Sequence, residues 1–135
     1  MRVRQLSEVI GSADEVDSGD WVSRRLVLRR DGMGHSVHET IFRAGNERRM
    51  QYRNHLESVY CVEGSGEITD LASGVSHPVM PGTLYALNQH DEHILRAHTD
   101  LRLICVFTPA LVGPEKHDEY HSYPLLDDDG SVIQQ

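Results

Sequence analysis

No run of apolar residues in this 135-residue sequence approaches the roughly 18 needed to cross a bilayer. The opening MRVRQLSEVIGSADEV also lacks the apolar stretch of a secretory leader, so no membrane partner and a cytoplasmic location are expected. Positive charge is scarce: 13 Lys and Arg stand against 21 Asp and Glu, a net charge of −8 that repels a phosphate backbone and excludes nucleic acid as a partner. Cysteine is nearly absent. Cys61 and Cys105 lie in apolar runs without CxxC spacing, which excludes a disulfide framework and reads as two buried, reduced thiols. There is no repeat and no linker. The length is that of one domain, 1–135, able to bury roughly two thirds of its unfolded surface.

What is present is short and β-like. LSEVI places Leu6, Val9 and Ile10 at helical spacing before Gly11, predicting one short N-terminal helix. The runs WVSRRLVLRR, GHSVHETIFRAG, LESVYCVEG, GTLYALN, HILRAH and LRLICVF are rich in Val, Ile, Leu, Tyr and Phe. RDGMG, EGSG, MPGT and HTD punctuate them, which predicts an all-β antiparallel sandwich or barrel. From about Thr108 the chain reads as an irregular C-terminal segment, ending in a flexible acidic tail over about 127–135.

Alternation assigns the interior faces. Glu57, Val59 and Cys61 share one side of their run; Thr83, Tyr85 and Leu87, then His93, Leu95 and Ala97, then Leu101, Leu103, Cys105 and Phe107 do the same. Each set is mostly apolar, so Glu57, Tyr85 and His93 are polar groups aimed inward. An inward carboxylate requires compensation, either by an arginine such as Arg25 or Arg53 or by a metal cation. In GHSVHETIF, Ser36, His38, Thr40 and Phe42 alternate with Val37, Glu39 and Ile41; a strand lining a wet cavity and a solvated edge strand both fit that pattern.

Motif spacing resembles the cupin fold, a jelly-roll double-stranded β-helix. Glu57 precedes Gly64 by seven residues, as in the first cupin metal box, but the expected His-x-His positions fall on Met50, Gln51, Tyr52 and Arg53. PGTLYALNQHDEH resembles the second box with Tyr85 in place of histidine, three residues after Gly82. His93 follows past the turn NQHDE, and strand-turn-strand geometry predicts Tyr85 and His93 at equal depth on neighbouring strands. A phenolate, a carboxylate and one imidazole suit iron(II) or manganese better than structural zinc. His90 sits in the polar turn and reads as a surface residue; His35, His55, His77, His98 and His121 carry no spacing signal.

WVSRRLVL, MGHSVHET, YRNHLESVYCVEGSGE, MPGTLYALNQHDEHILRA, LRLICVF, GPEKHDE and YPLL together resemble ectoine synthase over nearly the whole chain. The resemblance implies ring closure of N-γ-acetyl-L-2,4-diaminobutyrate to ectoine with loss of water, a hydro-lyase reaction of osmolyte biosynthesis. It implies Fe(II), with Mn or Zn as substitutes, held by Glu57, Tyr85 and His93, and a substrate pocket of Trp21, Arg25, His38, Thr40, Tyr52, Phe107, Glu115 and His117.

The chemistry explains these residue types. A Lewis acid on the amide oxygen stabilises developing negative charge, while an apolar interior with Trp21, Leu87 and Phe107 holds the flexible substrate folded. Arg25 reads as a bidentate clamp for the substrate carboxylate and Tyr52 as a group serving the substrate. Glu115 and His117 read as a base and a proton donor or orienter. A homodimer pairing exposed strand edges is expected. The competing readings are another iron or manganese cupin enzyme, such as a dioxygenase, and a non-enzymatic cupin that binds a small solute.

Overall fold

Inward apolar alternation and β-branched content build two antiparallel sheets whose inner faces meet. A computed structural model describes residues 1–135. A one-turn helix, α1 (Leu6–Val9), precedes β1 (Glu15–Asp17), β2 (Trp21–Val27), β3 (Ser36–Phe42), β4 (Glu47–Met50) and β5 (Leu56–Glu63). Then come β6 (Gly66–Asp70), β7 (Ser76–Val79), β8 (Leu84–Leu87), β9 (His93–Ala97) and β10 (Leu101–Thr108), followed by the short β11 (Leu125–Leu126) and β12 (Val132–Gln134). The larger sheet runs β1-β2-β3-β10-β5-β8, and the smaller runs β4-β9-β6-β7. They form the two walls of a flattened cupin-type barrel.

The four interior faces expected from alternation are the faces that pack. Val59, Cys61, Leu95, Leu101, Leu103 and Phe107 are each at most 2% exposed and join one core cluster. Both cysteines are free and buried on it. β3 is no edge: it lies between β2 and β10, so Ser36, His38, Thr40 and Phe42 face inward. Its opposite face carries Glu39, whose carboxylate is held between Arg24 at 2.8 Å and Arg102 at 3.0 Å.

One turn locks the connection between β5 and β6. Gly64, between β5 and β6, has φ +102°, and a Cβ there would collide with the Asp100 carbonyl oxygen. Only glycine permits both the backbone angle and that approach.

The structure differs from the sequence expectation in two places. Tyr85 and His93 are not on hydrogen-bonded neighbours, because β8 edges the larger sheet while β9 pairs with β4 and β6 in the smaller one. The turn between them crosses the barrel. Second, the end read as a flexible tail folds back: β12 pairs with β11, Asp127 accepts the backbone N–H groups of Asp129 and Ser131, and Gln134 donates to Asn54 at 3.1 Å. The acidic side chains serve as turn-forming acceptors there, which composition alone does not reveal.

Candidate active site

The inner faces of β2, β3, β5, β8 and β10 line a narrow cavity of about 40 Å³, bordered by Tyr52 and by Tyr123 from the C-terminal segment. Its lining includes Trp21, His38, Thr40, Tyr52, Glu57, Tyr85, Cys105 and Phe107. Apolar walls with a few convergent polar groups are the usual form of a small-molecule site.

Glu57 and Tyr85 come from adjacent antiparallel strands, where Glu57 faces Leu87 and Val59 faces Tyr85. Glu57 is 7% exposed and forms no ion pair: Arg25 donates to Gly113 and Ser23, and the Arg53 guanidinium lies over Tyr120 at 4.4 Å. Burial without a cation pushes the Glu57 carboxyl up to about 8. Burial, reinforced by the Glu57 charge, also holds the Tyr85 phenol well above its ordinary value.

His93 enters from the opposite sheet. Its ring centroid is 6.4 Å from that of Tyr85 and 6.2 Å from that of Tyr52, and it lines a neighbouring cleft with Leu87, the Tyr85 ring forming the shared wall. His93 Nδ1 donates to the Asp91 carbonyl oxygen at 2.9 Å, which fixes the tautomer and leaves Nε2 buried without a protein partner. No group of three His, Cys, Asp or Glu side chains converges anywhere in the chain. The donor set here counts a phenol: an uncompensated carboxyl, a phenol and a free imidazole nitrogen, a combination suited to a divalent cation.

The other expected residues divide. Trp21, His38, Thr40, Tyr52 and Phe107 line the cavity, whereas Arg25, Leu87, Glu115 and His117 do not. His117 lies just behind the wall, with Nε2 3.0 Å from the Tyr52 hydroxyl and its ring 4.6 Å from that of Trp21. Burial, with Arg48 next in weight, pushes His117 down to about 3, so its ring is neutral. Either tautomer leaves Nδ1 buried and unpartnered.

Glu115 and Arg25 are held by backbone partners outside the cavity lining. Both Glu115 oxygens accept backbone N–H groups, from Val112 and Gly113, each at 2.7 Å. Arg25, 1% exposed, donates from Nη1 to the Gly113 carbonyl oxygen and from Nε to the Ser23 hydroxyl at 3.4 Å. Together they hold Gly113 at both its N–H and its carbonyl and fix the loop that carries the chain from β10 toward His117. A buried carboxylate with two amide donors is well satisfied where it stands and serves the loop as an acceptor.

Sequence reasoning missed Tyr123 and His55. Tyr123 was visible only within the YPLL match; nothing in its spacing marks it as a cavity residue. His55 is 1% exposed with both ring nitrogens unpartnered, and burial pushes it down to about 4. It packs edge-on against Phe107, with ring centroids 6.0 Å apart. His90 is exposed as expected, its Nδ1 donating to the Tyr52 carbonyl oxygen at 2.8 Å.

Fold and site together define a cupin whose cavity combines an aromatic wall with inward carboxyl, phenol and imidazole groups. An RmlC-like cupin from Shewanella frigidimarina shares the fold, with a TM-score of 0.61 and 23% identity over 71% of this chain and 83% of that one. Within that class the likeness narrows: the family model described as ectoine synthase matches residues 1–127, and the chain belongs to the ectoine synthase family. It is 52% identical to the L-ectoine synthase of Halalkalibacterium halodurans, covering 96% of this chain and 100% of that relative. It is 54% identical to that of Desulfatibacillum aliphaticivorans, covering 95% and 100%. The crystal structure of ectoine synthase from P. lautus superposes with a TM-score of 0.85 at 46% identity, covering 100% of this chain and 99% of that one.

Proposed function

We propose that this chain, as a hydro-lyase of the ectoine synthase family, closes N-γ-acetyl-L-2,4-diaminobutyrate into ectoine, with Fe(II) held by Glu57, Tyr85 and His93. Mn and Zn are the substitutes the same donors would accept. The observation that carries the reading is the inward trio: Glu57, buried with no cation, lines the cavity with Tyr85, and Tyr85 in turn lines the adjoining cleft with His93, whose Nε2 has no partner. When bound, the ion supplies Lewis-acid polarisation of the amide oxygen, with no change of oxidation state required.

The chain's own residues do the rest. The α-amine nitrogen attacks the acetamide carbon, a C–N bond forms, and the carbonyl oxygen departs as water with the two protons the amine loses. Trp21, Phe107 and Tyr52 form a narrow apolar cavity that keeps the two ends of the substrate together and excludes bulk water, which opposes dehydration. The Tyr52 hydroxyl, backed by His117 at 3.0 Å, is the proton-handling pair. Burial holds Tyr52 well above its ordinary value, so it works as a neutral donor. Glu115 and Arg25 act on Gly113 and shape the loop.

The decisive experiment incubates anaerobic, Fe(II)-loaded protein with the acetylated diaminobutyrate and follows the ring product by NMR. Ectoine is expected; its absence with folded, iron-loaded protein overturns the reading. Glu57→Ala and His93→Ala are expected to lose iron and turnover together, and normal iron binding by His93→Ala would remove it from the ligand set.

A homodimer is part of the proposal. β8 is an edge of the larger sheet, whose outer face exposes Leu56, Tyr60 and Leu84. Sedimentation of wild type as a dimer and of Leu84→Glu as a monomer is the expected result; a monomeric wild type would contradict it. A cytoplasmic location accords with the two free thiols, and no helix is long and apolar enough to cross a membrane.

A further inference from the structure

Tyr123 is 3% exposed and lines the cavity, with the Trp21 indole N–H directed to its hydroxyl oxygen. Its backbone carbonyl accepts from Asn54 and Ser122. An indole N–H only donates, so the phenol's own proton is left for an acceptor in the cavity. The ring is fixed on every side: stacked on Tyr52 with centroids 5.2 Å apart, edge-on to His117 at 4.8 Å and to Phe107 at 5.5 Å. The Arg25 guanidinium lies over it at 5.5 Å, with no carboxylate paired to that cation. An immobilised, neutral phenol beside a buried positive charge is a preorganised donor for an anionic oxygen.

We propose that Tyr123 is a substrate-positioning residue whose hydroxyl donates to the carboxylate of the substrate. This assignment rests on the cyclisation reading above. The inward trio accounts for the amide end and the Tyr52–His117 pair for the reacting protons, which leaves the carboxylate as the substrate group still in need of a donor. Arg25 attracts that carboxylate from beneath the Tyr123 ring, while its own donors hold Ser23 and Gly113. The C-terminal segment thus completes the site with a recognition group as well as a wall.

The test uses Trp21, the single tryptophan of the chain and a cavity residue, as a fluorescence reporter of binding that needs no turnover. Full-length, iron-loaded wild type and Tyr123→Phe are titrated with N-γ-acetyl-L-2,4-diaminobutyrate and with N-acetyl-1,3-diaminopropane, which has the same chain without the carboxylate. Tyr123→Phe keeps the ring and its packing. Its affinity for the carboxylated ligand is expected to fall at least about tenfold, as for loss of a hydrogen bond to a charged group, with no change for the diaminopropane. Equal affinity of the two proteins for the carboxylated ligand overturns the proposal. Equal weakening toward both ligands overturns it too, because the acceptor would then lie outside the carboxylate. Wild type that binds the carboxylated ligand in the same titration but forms no ectoine defeats the cyclisation reading instead, while the binding comparison still decides Tyr123.

Discussion

The Tyr52 hydroxyl and His117 Nε2 lie 3.0 Å apart, joining the loop before β5 to the C-terminal segment at the cavity wall. Tyr52→Phe removes that link and keeps the ring, which remains packed on Tyr123 and Phe107. If the pair handles protons, the rate of ring closure measured by NMR falls by about 10²-fold or more while iron content stays at the wild-type level. A rate within a few-fold of wild type would show that Tyr52 is only packing.

Glu115→Gln leaves one oxygen where two amide N–H groups, of Val112 and Gly113, now find two. The loss of one charge-assisted bond in a buried loop is expected to lower stability by about 1–3 kcal/mol in urea unfolding. Iron binding is expected to be unchanged. A variant with wild-type stability but no turnover would restore Glu115 as a chemical participant.

His117 is neutral in the folded protein, pushed down to about 3, and it titrates near 6.5 when unfolded. Arg48, His121, His93 and Arg25 face it, so its neighbours add to the effect of burial. Between those two values the unfolded chain binds one proton more. The contribution is therefore full above pH 6.5 and is lost as pH falls toward 3. His117→Phe is expected to reduce the pH slope of unfolding free energy near pH 5 by ~1.4 kcal/mol per pH unit relative to wild type. Urea midpoints at several pH values measure this, and parallel curves for the two proteins would place the charged form in the folded state.

Gly64→Ala meets both a positive φ and the Asp100 carbonyl oxygen, whereas Gly82, with φ +94°, has open space around its Cβ position. The Gly82→Ala cost is backbone strain alone, about 1–2 kcal/mol. Gly64→Ala adds displacement of the β9–β10 turn and is expected to cost at least about 3 kcal/mol, seen as loss of soluble protein or a lowered urea midpoint.

The strands legible in the sequence were the runs rich in Val, Ile, Leu, Tyr and Phe, β2, β3, β5, β8, β9 and β10. Those missed include two short, mostly polar strands that each put one apolar residue, Met50 or Val79, into the core. β4 is ERRM, whose outward Glu47 and Arg49 are answered by Arg96 at 3.0 Å and Glu92 at 2.6 Å on neighbouring elements. β7 contains Pro78, tolerated because β7 is the edge of the smaller sheet. Alternation correctly turned Glu57, Tyr85 and His93 inward but could not tell which sheet each belonged to. That depends on where a turn crosses the barrel, and the turn residues 88–92 carry no mark of it. For Glu115, residue type suggested a base; only the two amide donors 2.7 Å from its oxygens reveal a structural acceptor.

Because β8 and β9 belong to opposite sheets, Tyr85 and His93 reach toward each other across the seam of the molecule. No ladder of backbone bonds joins those two strands. Anything gripped by both side chains works as a rivet through two plates, so that prising the sheets apart and releasing the guest become one mechanical event.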